Sequence, residues 1–408
     1  MSVVIAIAGL AFLVLIHEAG HFFAARAVGM RPRKFYVFFP PALVKTVRNG
    51  TEYGIGSIPL GGYVKIPGMH RPAAGDLDAH FRRATDEAPW LATPVAAVHE
   101  PLERGELADA RAALPQLQHA VERAELSEQA LRNVQKGMTD LDDALSPDAY
   151  WRAPAWKRVF VIFAGPFTNL VFAVAMLAVV FSLGVAAGAT RTVETVSPGT
   201  PAVSAGLRPG DVIVAVDGKA TARFKEVSEA IRGSGGTPIT VTVTRDGREL
   251  VLGPVRAERI EGRYRLGFVP SAFYKSYAPG AAIVKAFEQT GEVTVAIGKS
   301  LGGIVTGSTR GEVSSAVGIV EQSSQVVEAG FRYYLGVLAL ISLSLALLNL
   351  LPLLPLDGGH IAFSIAEKVR GRAIPREAYE RASAVGIALV LLLFFIGLTN
   401  DINRLRGG

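Results

Sequence analysis

Four long apolar stretches divide the chain, and each is long enough to be considered for a membrane span. They cover roughly residues 2–28, 157–187, 333–354 and 383–399. A helix needs about 20 mostly apolar residues to cross the hydrocarbon core of a bilayer. The pattern predicts a polytopic α-helical membrane protein with about four transmembrane helices, the last of which begins earlier than its apolar part, near Tyr379.

The segments between the spans have other periodicities. Residues 35–70 alternate apolar and polar stretches around the turn signal Asn49-Gly50, which predicts a membrane-surface β-hairpin or small sheet. Residues 76–150 are polar, with apolar residues at helical spacing towards the end, which predicts a small helical hairpin. Residues 192–269 alternate β-branched strands with Gly-Asp and Asp-Gly turns, which predicts one compact β-rich domain.

The predicted segments follow one another along the chain. They are the first span (1–34), the β region (35–75), the helical insert (76–152), the second span (153–188), the β-rich domain (189–272), an amphipathic linker (273–332), the third span (333–362), and a loop with the fourth span and the tail (363–408).

Basic residues lie at only some ends of the spans, in residues 26–34, 152–158 and 368–381. Cytoplasmic loops of membrane proteins carry an excess of Lys and Arg. These loops and the insert are therefore predicted to be cytoplasmic, and both termini and the loop from about 188 to 332 to be outside. The predicted location is the inner or plasma membrane, where the lipid bilayer surrounds the spans.

The first span contains His17-Glu18-Ala19-Gly20-His21 near its predicted cytoplasmic end. In a helix, HExxH places two imidazoles one turn apart on one face, where both reach one zinc ion, and the Glu acts as general base. Ionisable residues at membrane depth are costly and usually functional. The alternative is that His17 and His21 lie at the interface and bind nothing.

Asp357 is the candidate third ligand. The third span also runs inward, and it ends in NLLPLLPLDGGH (349–360), so Asp357 arrives at a depth similar to that of the two histidines. Catalytic zinc sites have three protein ligands and one open position. The prolines before Asp357 are predicted to break the helix, and Gly358 and Gly359 to form a turn towards the metal. The alternative is a solvated Asp at a helix end.

Composition excludes several other kinds of site. The chain has no Cys, so it has no disulfide, thiolate ligand or thiol nucleophile. Hydrophobic residues make up 50% of the chain and the formal net charge is +6, which agrees with a membrane protein that has basic cytoplasmic edges. No basic cluster is interleaved with aromatic residues, so no nucleic-acid partner is expected.

Four motifs occur along the chain, in the order HEAGH (17–21), GGYVKIPGM (61–69), FAGPFTN (163–169) and NLLPLLPLDGG (349–359). Together they resemble the zinc motif, the membrane-associated β-loop, the second core helix and the third-ligand motif of the site-2 protease family. The resemblance is to the bacterial branch with a PDZ domain, and to actinobacterial members with a single one. One departure is that the second Pro of the last motif stands six residues after the Asn, where many members have five.

The resemblance implies an intramembrane zinc metalloendopeptidase with one zinc ion per chain. It also implies regulated intramembrane proteolysis, in which single-span membrane proteins such as anti-sigma factors or signal-peptide remnants are cut within or near the membrane. An upstream site-1 protease first removes the outer domain of the substrate.

The resemblance also suggests substrate-binding residues. Asn169 and Asn349 are candidates to hydrogen-bond the substrate backbone near zinc, and interhelical packing is the alternative. Gly61, Gly62 and Tyr63 are expected on an edge strand that pairs with a locally opened substrate. The alternative there is a purely structural hairpin.

Within the β-rich domain, SPGTPAVSAGLRPGD (197–211) resembles the bacterial PDZ signature. Leu266, Gly267 and Phe268 resemble a carboxylate-binding loop, placed last as in circularly permuted PDZ domains. Backbone donors in such a loop can capture a C-terminus. The alternative is an empty groove on a domain that serves as a size filter.

Two other functions fit parts of the pattern. A catalytically silent membrane scaffold would hold partners on its PDZ domain, although the complete ligand set argues against it. A metal transporter would also place His and Asp in the membrane. However, HExxH contains a base that a transporter does not need, and no repeated half is visible.

Overall fold

In a computed structural model of the protein, the described residues are 1–260, 262–307 and 315–406. The chain forms two compact units. The first comprises Met1–Leu177 and Ala286–Gly408, and the second comprises Ala178–Lys285.

Helices and strands alternate in blocks along the described residues. The α-helices are α1 (Ser2–Ala27), α2 (Ala74–Glu87), α3 (Ala92–Arg104), α4 (Leu107–Arg123), α5 (Glu128–Leu145), α6 (Ala155–Leu183), α7 (Pro201–Ala205), α8 (Phe224–Gly233), α9 (Pro279–Thr306), α10 (Ala316–Ala329), α11 (Phe331–Asn349), α12 (Asp357–Arg370) and α13 (Arg376–Arg406). The strands are β1 (Lys34–Arg48), β2 (Thr51–Lys65), β3 (Val185–Val196), β4 (Val212–Val216), β5 (Lys219–Ala220), β6 (Pro238–Arg245), β7 (Arg248–Arg256), β8 (Glu258–Ile260), β9 (Arg263–Arg265) and β10 (Phe268–Lys275).

Within the described residues, four helices are long and apolar enough to cross a membrane: Ser2–Ala27, Ala155–Leu183, Phe331–Asn349 and Glu377–Asn403. Their number agrees with the four spans predicted from the sequence, and the last helix begins ahead of its apolar part, at Arg376. The third span is shorter than predicted, because α11 ends at Asn349, ahead of the two prolines that lack a backbone donor.

Asp357 begins the separate helix α12. Gly358 and Gly359 lie in the first turn of that helix, so the predicted turn at these glycines is wrong. The chain instead reverses through residues 350–356, and the two glycines pack against the backbone of that loop.

α1 and α6 cross at two small residues. A Cβ on Gly165 would lie 2.2 Å from Nε2 of His21, and a Cβ on Gly20 would lie 2.4 Å from the carbonyl oxygen of Ala164. Thr168 donates a 3.0 Å hydrogen bond from Oγ1 to the carbonyl of Ile16. Small residues let helices in a membrane approach closely, and here they bring α6 against the histidine-bearing face of α1.

β1 and β2 join through the Asn49-Gly50 turn, where both residues have positive φ, as a tight hairpin requires. Their pairing is not a simple hairpin, because residues 34–37 pair with residues 62–65 on one side and with residues 52–55 on the other. Residues 62–65 thus form an edge of this sheet within the described part of the chain.

The insert contains α2 to α5, packed around its own apolar core, where the sequence predicted only a helical hairpin. Its C-terminal end is joined to the sheet by ion pairs. Arg33 lies 2.8 Å from Asp143 and 3.1 Å from Asp148, and Lys65 lies 2.8 Å from Asp143. The insert is therefore anchored directly beside the edge formed by residues 62–65.

The second unit is β-rich. Its main sheet has the strand order β10-β3-β4-β6-β7, with β5 added to β4, and α7 and α8 contribute to its apolar core. The unit extends beyond the predicted residues 189–272, since β3 begins at Val185 and β10 ends at Lys275. Much of the predicted linker (273–332) is helical, in α9 and α10, while residues 308–314 lie outside the described residues.

A buried ion pair ties β4 to β6 in this unit. Asp211 is 1% exposed, and its two carboxylate oxygens accept hydrogen bonds of 2.7 and 2.8 Å from Arg245. The backbone N–H of Arg208 donates a third bond of 2.8 Å. Burial raises the pKa of Asp211, but these hydrogen bonds outweigh it and hold the pKa below its usual value.

We expect Asp211 to make this unit less stable as the pH falls. Because its folded pKa is depressed, its contribution is complete above the unfolded value of about 3.9 and is lost as the pH falls through the lower folded value. Hydrogen exchange of the β4 and β6 amides in the full-length protein measures this. Asp211→Asn should exchange faster than wild type at pH 7 and show a flatter dependence below about pH 4. Arg245→Met should behave alike, and an unchanged acid dependence in both variants would contradict the assignment.

Candidate metal centre

His17 and His21 lie one turn apart on α1 and point the same way. Both side chains are buried, each residue being 7% exposed, and their Nε2 atoms are 3.2 Å apart. The four-residue spacing of HExxH produces this arrangement directly, because the helix advances 3.6 residues per turn. The two ring nitrogens therefore face one point inside the protein.

Asp357 brings a carboxylate to the same point from the N-terminus of α12. Its Oδ2 lies 3.1 Å from Nε2 of His17 and 3.4 Å from Nε2 of His21. This oxygen is buried and, among the described residues, receives no hydrogen bond of acceptable geometry. A buried carboxylate oxygen without a donor requires another partner, such as a cation.

The three donor atoms fit a tetrahedral zinc ion. Zinc–ligand bonds of about 2.0–2.1 Å at tetrahedral angles separate neighbouring donor atoms by about 3.3–3.4 Å. The observed separations are 3.1, 3.2 and 3.4 Å. Among the described residues, His17, His21 and Asp357 are the group of three metal-binding side chains whose ligand atoms lie close enough together to hold one ion. Three ligands leave one position open for water or substrate.

Helix α6 contacts the outer nitrogen of each histidine. The Nδ1 of His21 lies 2.9 Å from the carbonyl oxygen of Val161, and the Nδ1 of His17 lies 3.4 Å from Nδ2 of Asn169. Pro166 lies within this stretch of α6. Since proline lacks a backbone donor and crowds the carbonyl four residues earlier, it disturbs the helical hydrogen bonding at Ile162, next to Val161.

Glu18 lies beneath the edge of the β sheet. A Cβ on Gly62 would fall 2.1 Å from Cγ of Glu18, so only glycine lets the strand pass at this distance. The edge formed by residues 62–65 therefore faces the candidate metal centre.

The other predicted site residues of this unit lie at different distances from the centre. Gly61 packs beside the ring of Phe39, and the ring of Tyr63 lies 6.2 Å from that of Phe39. Asn349 is the last residue of α11, partly buried. Within the described part of the chain, the histidine contacts include Asn169 and not Asn349.

Sequence analysis missed the carbonyl of Val161 and the contacts of Gly62 with Glu18. A backbone carbonyl carries no side-chain signal, although Pro166 in the interior of α6 indicated a perturbed turn. The contact at Gly62 depends on how the sheet packs on α1, which no local pattern specifies.

In the second unit, Leu266 and Gly267 connect β9 to β10, and Phe268 is the first residue of β10. The carbonyl of Gly267 accepts a 2.9 Å hydrogen bond from the N–H of Ser197, and the carbonyl of Leu266 accepts one of 2.7 Å from Ala202. A groove of about 550 Å³ runs along this loop. Its apolar lining includes Phe224 and Ile231 from α8 together with Leu266 and Phe268, and Arg232, Arg263 and Arg265 also border it.

Comparison with known proteins supports this picture at the level of the whole chain. The sequence model of Peptidase family M50 matches residues 5–393. A protein named "Putative zinc metalloprotease" from Agrobacterium fabrum is 30% identical over 413 residues, covering 98% of this chain and 94% of that protein. A protein of the same printed description from Lactococcus lactis is 28% identical over 422 residues, covering 96% of each. "Metalloprotease MmpA" of Caulobacter vibrioides is 28% identical over 425 residues, covering 97% of this chain and 94% of that protein.

The family match extends over nearly the full chain, reaches into each of the four apolar helices found among the described residues, and includes the three residues whose ligand atoms converge. The chain belongs to Peptidase family M50, the site-2 protease family, and is a multi-pass membrane zinc metalloprotease.

Proposed function

We propose that this protein is an intramembrane endopeptidase that cuts single-span membrane proteins. His17, His21 and Asp357 hold one zinc ion per chain, and Glu18 is the general base. The observation that carries the proposal is the convergence of two imidazoles and a buried, donor-free carboxylate oxygen to within 3.1–3.4 Å of one another, beside a glutamate on an apolar helix.

Each residue has a distinct chemical task. A zinc ion at this site supplies a Lewis acid that polarises the scissile carbonyl and acidifies water. Glu18 accepts the proton of the attacking water and then delivers it to the leaving amine nitrogen. Gly165 and Gly20 keep α6 close to α1, so the two imidazoles are held in place before substrate arrives.

The substrate must be opened before it is cut, because a helix keeps its carbonyls in internal hydrogen bonds. Residues 62–65 offer the backbone groups of a sheet edge, and that edge faces Glu18. Strand addition would hold the opened segment there, with Gly61, Gly62 and Tyr63 along it. We also propose that Asn349, eight residues before Asp357 in the chain, hydrogen-bonds the substrate backbone near the cut.

We assign the second unit as a PDZ domain, with Leu266, Gly267 and Phe268 as its carboxylate-binding loop. The groove between α8 and this loop supports the assignment. The domain admits substrates whose bulky outer part an upstream site-1 protease has already removed. We propose that the protein acts in regulated intramembrane proteolysis, with anti-sigma factors or signal-peptide remnants as substrates.

The distribution of Lys and Arg supports one orientation of the chain. The metal centre and the insert (76–152) lie towards the cytoplasm, and the PDZ domain lies outside. The proposed segments keep the order given from the sequence, with the β-rich domain extended at both ends and the third span (333–362) divided into α11 and α12.

Glu18→Gln should abolish cleavage while zinc stays bound, because all three ligands remain and an amide cannot accept the proton. A positioned general base is worth about 10²–10⁴-fold in rate, so kcat should fall by at least that factor. The assay uses purified protein in detergent with a single-span substrate already trimmed on its outer side, and zinc is measured in the same samples.

If Glu18→Gln cleaved the substrate at the wild-type rate, Glu18 would not be the general base. If wild type cuts nothing in a panel of trimmed substrates but still captures them with zinc bound, the silent-scaffold alternative is favoured.

Asp357→Ala should lower zinc affinity by more than the roughly 10–100-fold that loss of an outer partner costs, since it removes one of three ligands. Zinc content after dialysis against graded chelator measures this. Glu367→Ala is the matched control, because Glu367 lies on the same helix and pairs with Arg158 at 2.6 Å, away from the ligands. Full zinc retention in Asp357→Ala would make Asp357 a helix cap only.

Gly62→Ala should reduce kcat about 100-fold with zinc retained, because its methyl group displaces Glu18 and an error of about 1 Å costs that much. Gly54→Ala is the control. Its methyl would lie 2.8 Å from the carbonyl of Val44 in the same sheet, without touching Glu18. Equal losses of kcat in the two variants would show a general distortion of the sheet instead.

A further inference from the structure

The Nδ1 atoms of the two histidines have different partners on α6. His21 meets the backbone carbonyl of Val161, whereas His17 meets the side chain of Asn169. We infer that Asn169 is a positioning residue for His17. The amide oxygen of Asn169 accepts a hydrogen bond from the Nδ1–H of His17, and this bond holds Nε2 of His17 towards the metal. This inference rests on the proposed metal site. It gives Asn169 the role of orienting a metal ligand, His17, in place of the predicted role of binding the substrate backbone.

The tautomer of His17 follows from the geometry of the cluster. Its Nε2 lies 3.1 Å from Oδ2 of Asp357 and 3.2 Å from Nε2 of His21, so Nε2 is the nitrogen that faces the metal position. A neutral imidazole carries a single N–H, and a ligating nitrogen must present its lone pair. Nδ1 of His17 therefore carries the proton and, being buried, requires an acceptor.

The side chain of Asn169 is the group that meets this nitrogen. Asn169 is 0% exposed, and its Nδ2 lies 3.4 Å from Nδ1 of His17. Its Oδ1 is buried and has no hydrogen-bond partner among the described residues. A half-turn about the Cβ–Cγ bond exchanges the two ends of the amide. Before this rotation two donors face each other, Nδ2 of Asn169 and the Nδ1–H of His17. After it, Oδ1 of Asn169 accepts the Nδ1–H of His17 and so gains the donor that it lacked.

The backbone around Asn169 is fixed on both sides. Ser342 on α11 donates a 2.9 Å hydrogen bond from Oγ to the carbonyl of Asn169, and Thr168 donates to the carbonyl of Ile16 on α1. The amide is thus presented to His17 by a segment that three helices hold. Val161 on the same helix serves His21 in the same way, through its backbone carbonyl.

Full burial behind His17 also distinguishes this role from substrate contact. A side chain with no exposed surface cannot meet a substrate backbone unless α1 and α6 separate. Outer partners of metal-bound histidines fix the tautomer and ring orientation, and their loss typically costs about 10–100-fold in metal affinity.

The test is a zinc titration against a chromophoric chelator, with detergent-purified full-length protein stripped of metal. Asn169→Ala should bind zinc about 10–100-fold more weakly than wild type. Asn169→Asp keeps an acceptor for Nδ1–H and should stay within a few-fold of wild type. Ser342→Ala removes the hydrogen bond to the backbone carbonyl of Asn169 and keeps the amide that meets His17, so it should lose much less zinc affinity than Asn169→Ala. Thermal unfolding of the metal-free proteins shows that all variants are folded.

Three results would overturn the inference. Wild-type zinc affinity in Asn169→Ala with a raised KM would make Asn169 a substrate contact. Equal zinc losses in Asn169→Ala and Ser342→Ala would make it a packing residue, and a loss in Asn169→Asp as large as in Asn169→Ala would exclude the acceptor role. Asp357→Ala, measured alongside, separates these results from failure of the metal site itself, because it loses zinc whenever that site is correctly placed.

Discussion

The close crossing of α1 and α6 is the contact on which the metal centre depends. Polar groups in an apolar helix must find partners inside the protein, since the bilayer offers none. At the crossing, Gly20 and Gly165 remove the side chains that would separate the helices. The outer nitrogen of each histidine then reaches α6, which leaves both inner nitrogens directed at Asp357. A wider spacing would leave these nitrogens without partners and would leave the imidazoles free to rotate.

The sequence was sufficient where the signal is local. Four apolar runs predicted four helices, the spacing of His17 and His21 predicted one shared face, and Asn49-Gly50 predicted a tight turn. Each of these is determined by a few neighbouring residues, so the pattern and the structure coincide.

The sequence was insufficient where distant segments decide the geometry. Residues 34–37 pair on one side with residues 52–55 and on the other with residues 62–65 of the same strand, and no alternation of polar and apolar residues specifies that order. In the insert, Leu77, Phe81 and Ala84 have helical spacing and are buried in α2, so a signal for a third helix was present there. The division of the third span into α11 and α12 depends on the loop at residues 350–356, whose course is determined by packing against the glycines of α12.

A recognition edge made of backbone leads to a particular kind of selectivity. Main-chain hydrogen bonds are the same for every residue except proline, so a strand edge distinguishes little between side chains. On the proposed mechanism, the cost that differs between substrates is that of unwinding a membrane helix before it can pair. Spans rich in glycine or β-branched residues give up their helical bonds more readily than spans of leucine and alanine. The enzyme would then select its cleavage site by the local weakness of a helix, and unrelated sequences that share this weakness would be equivalent substrates.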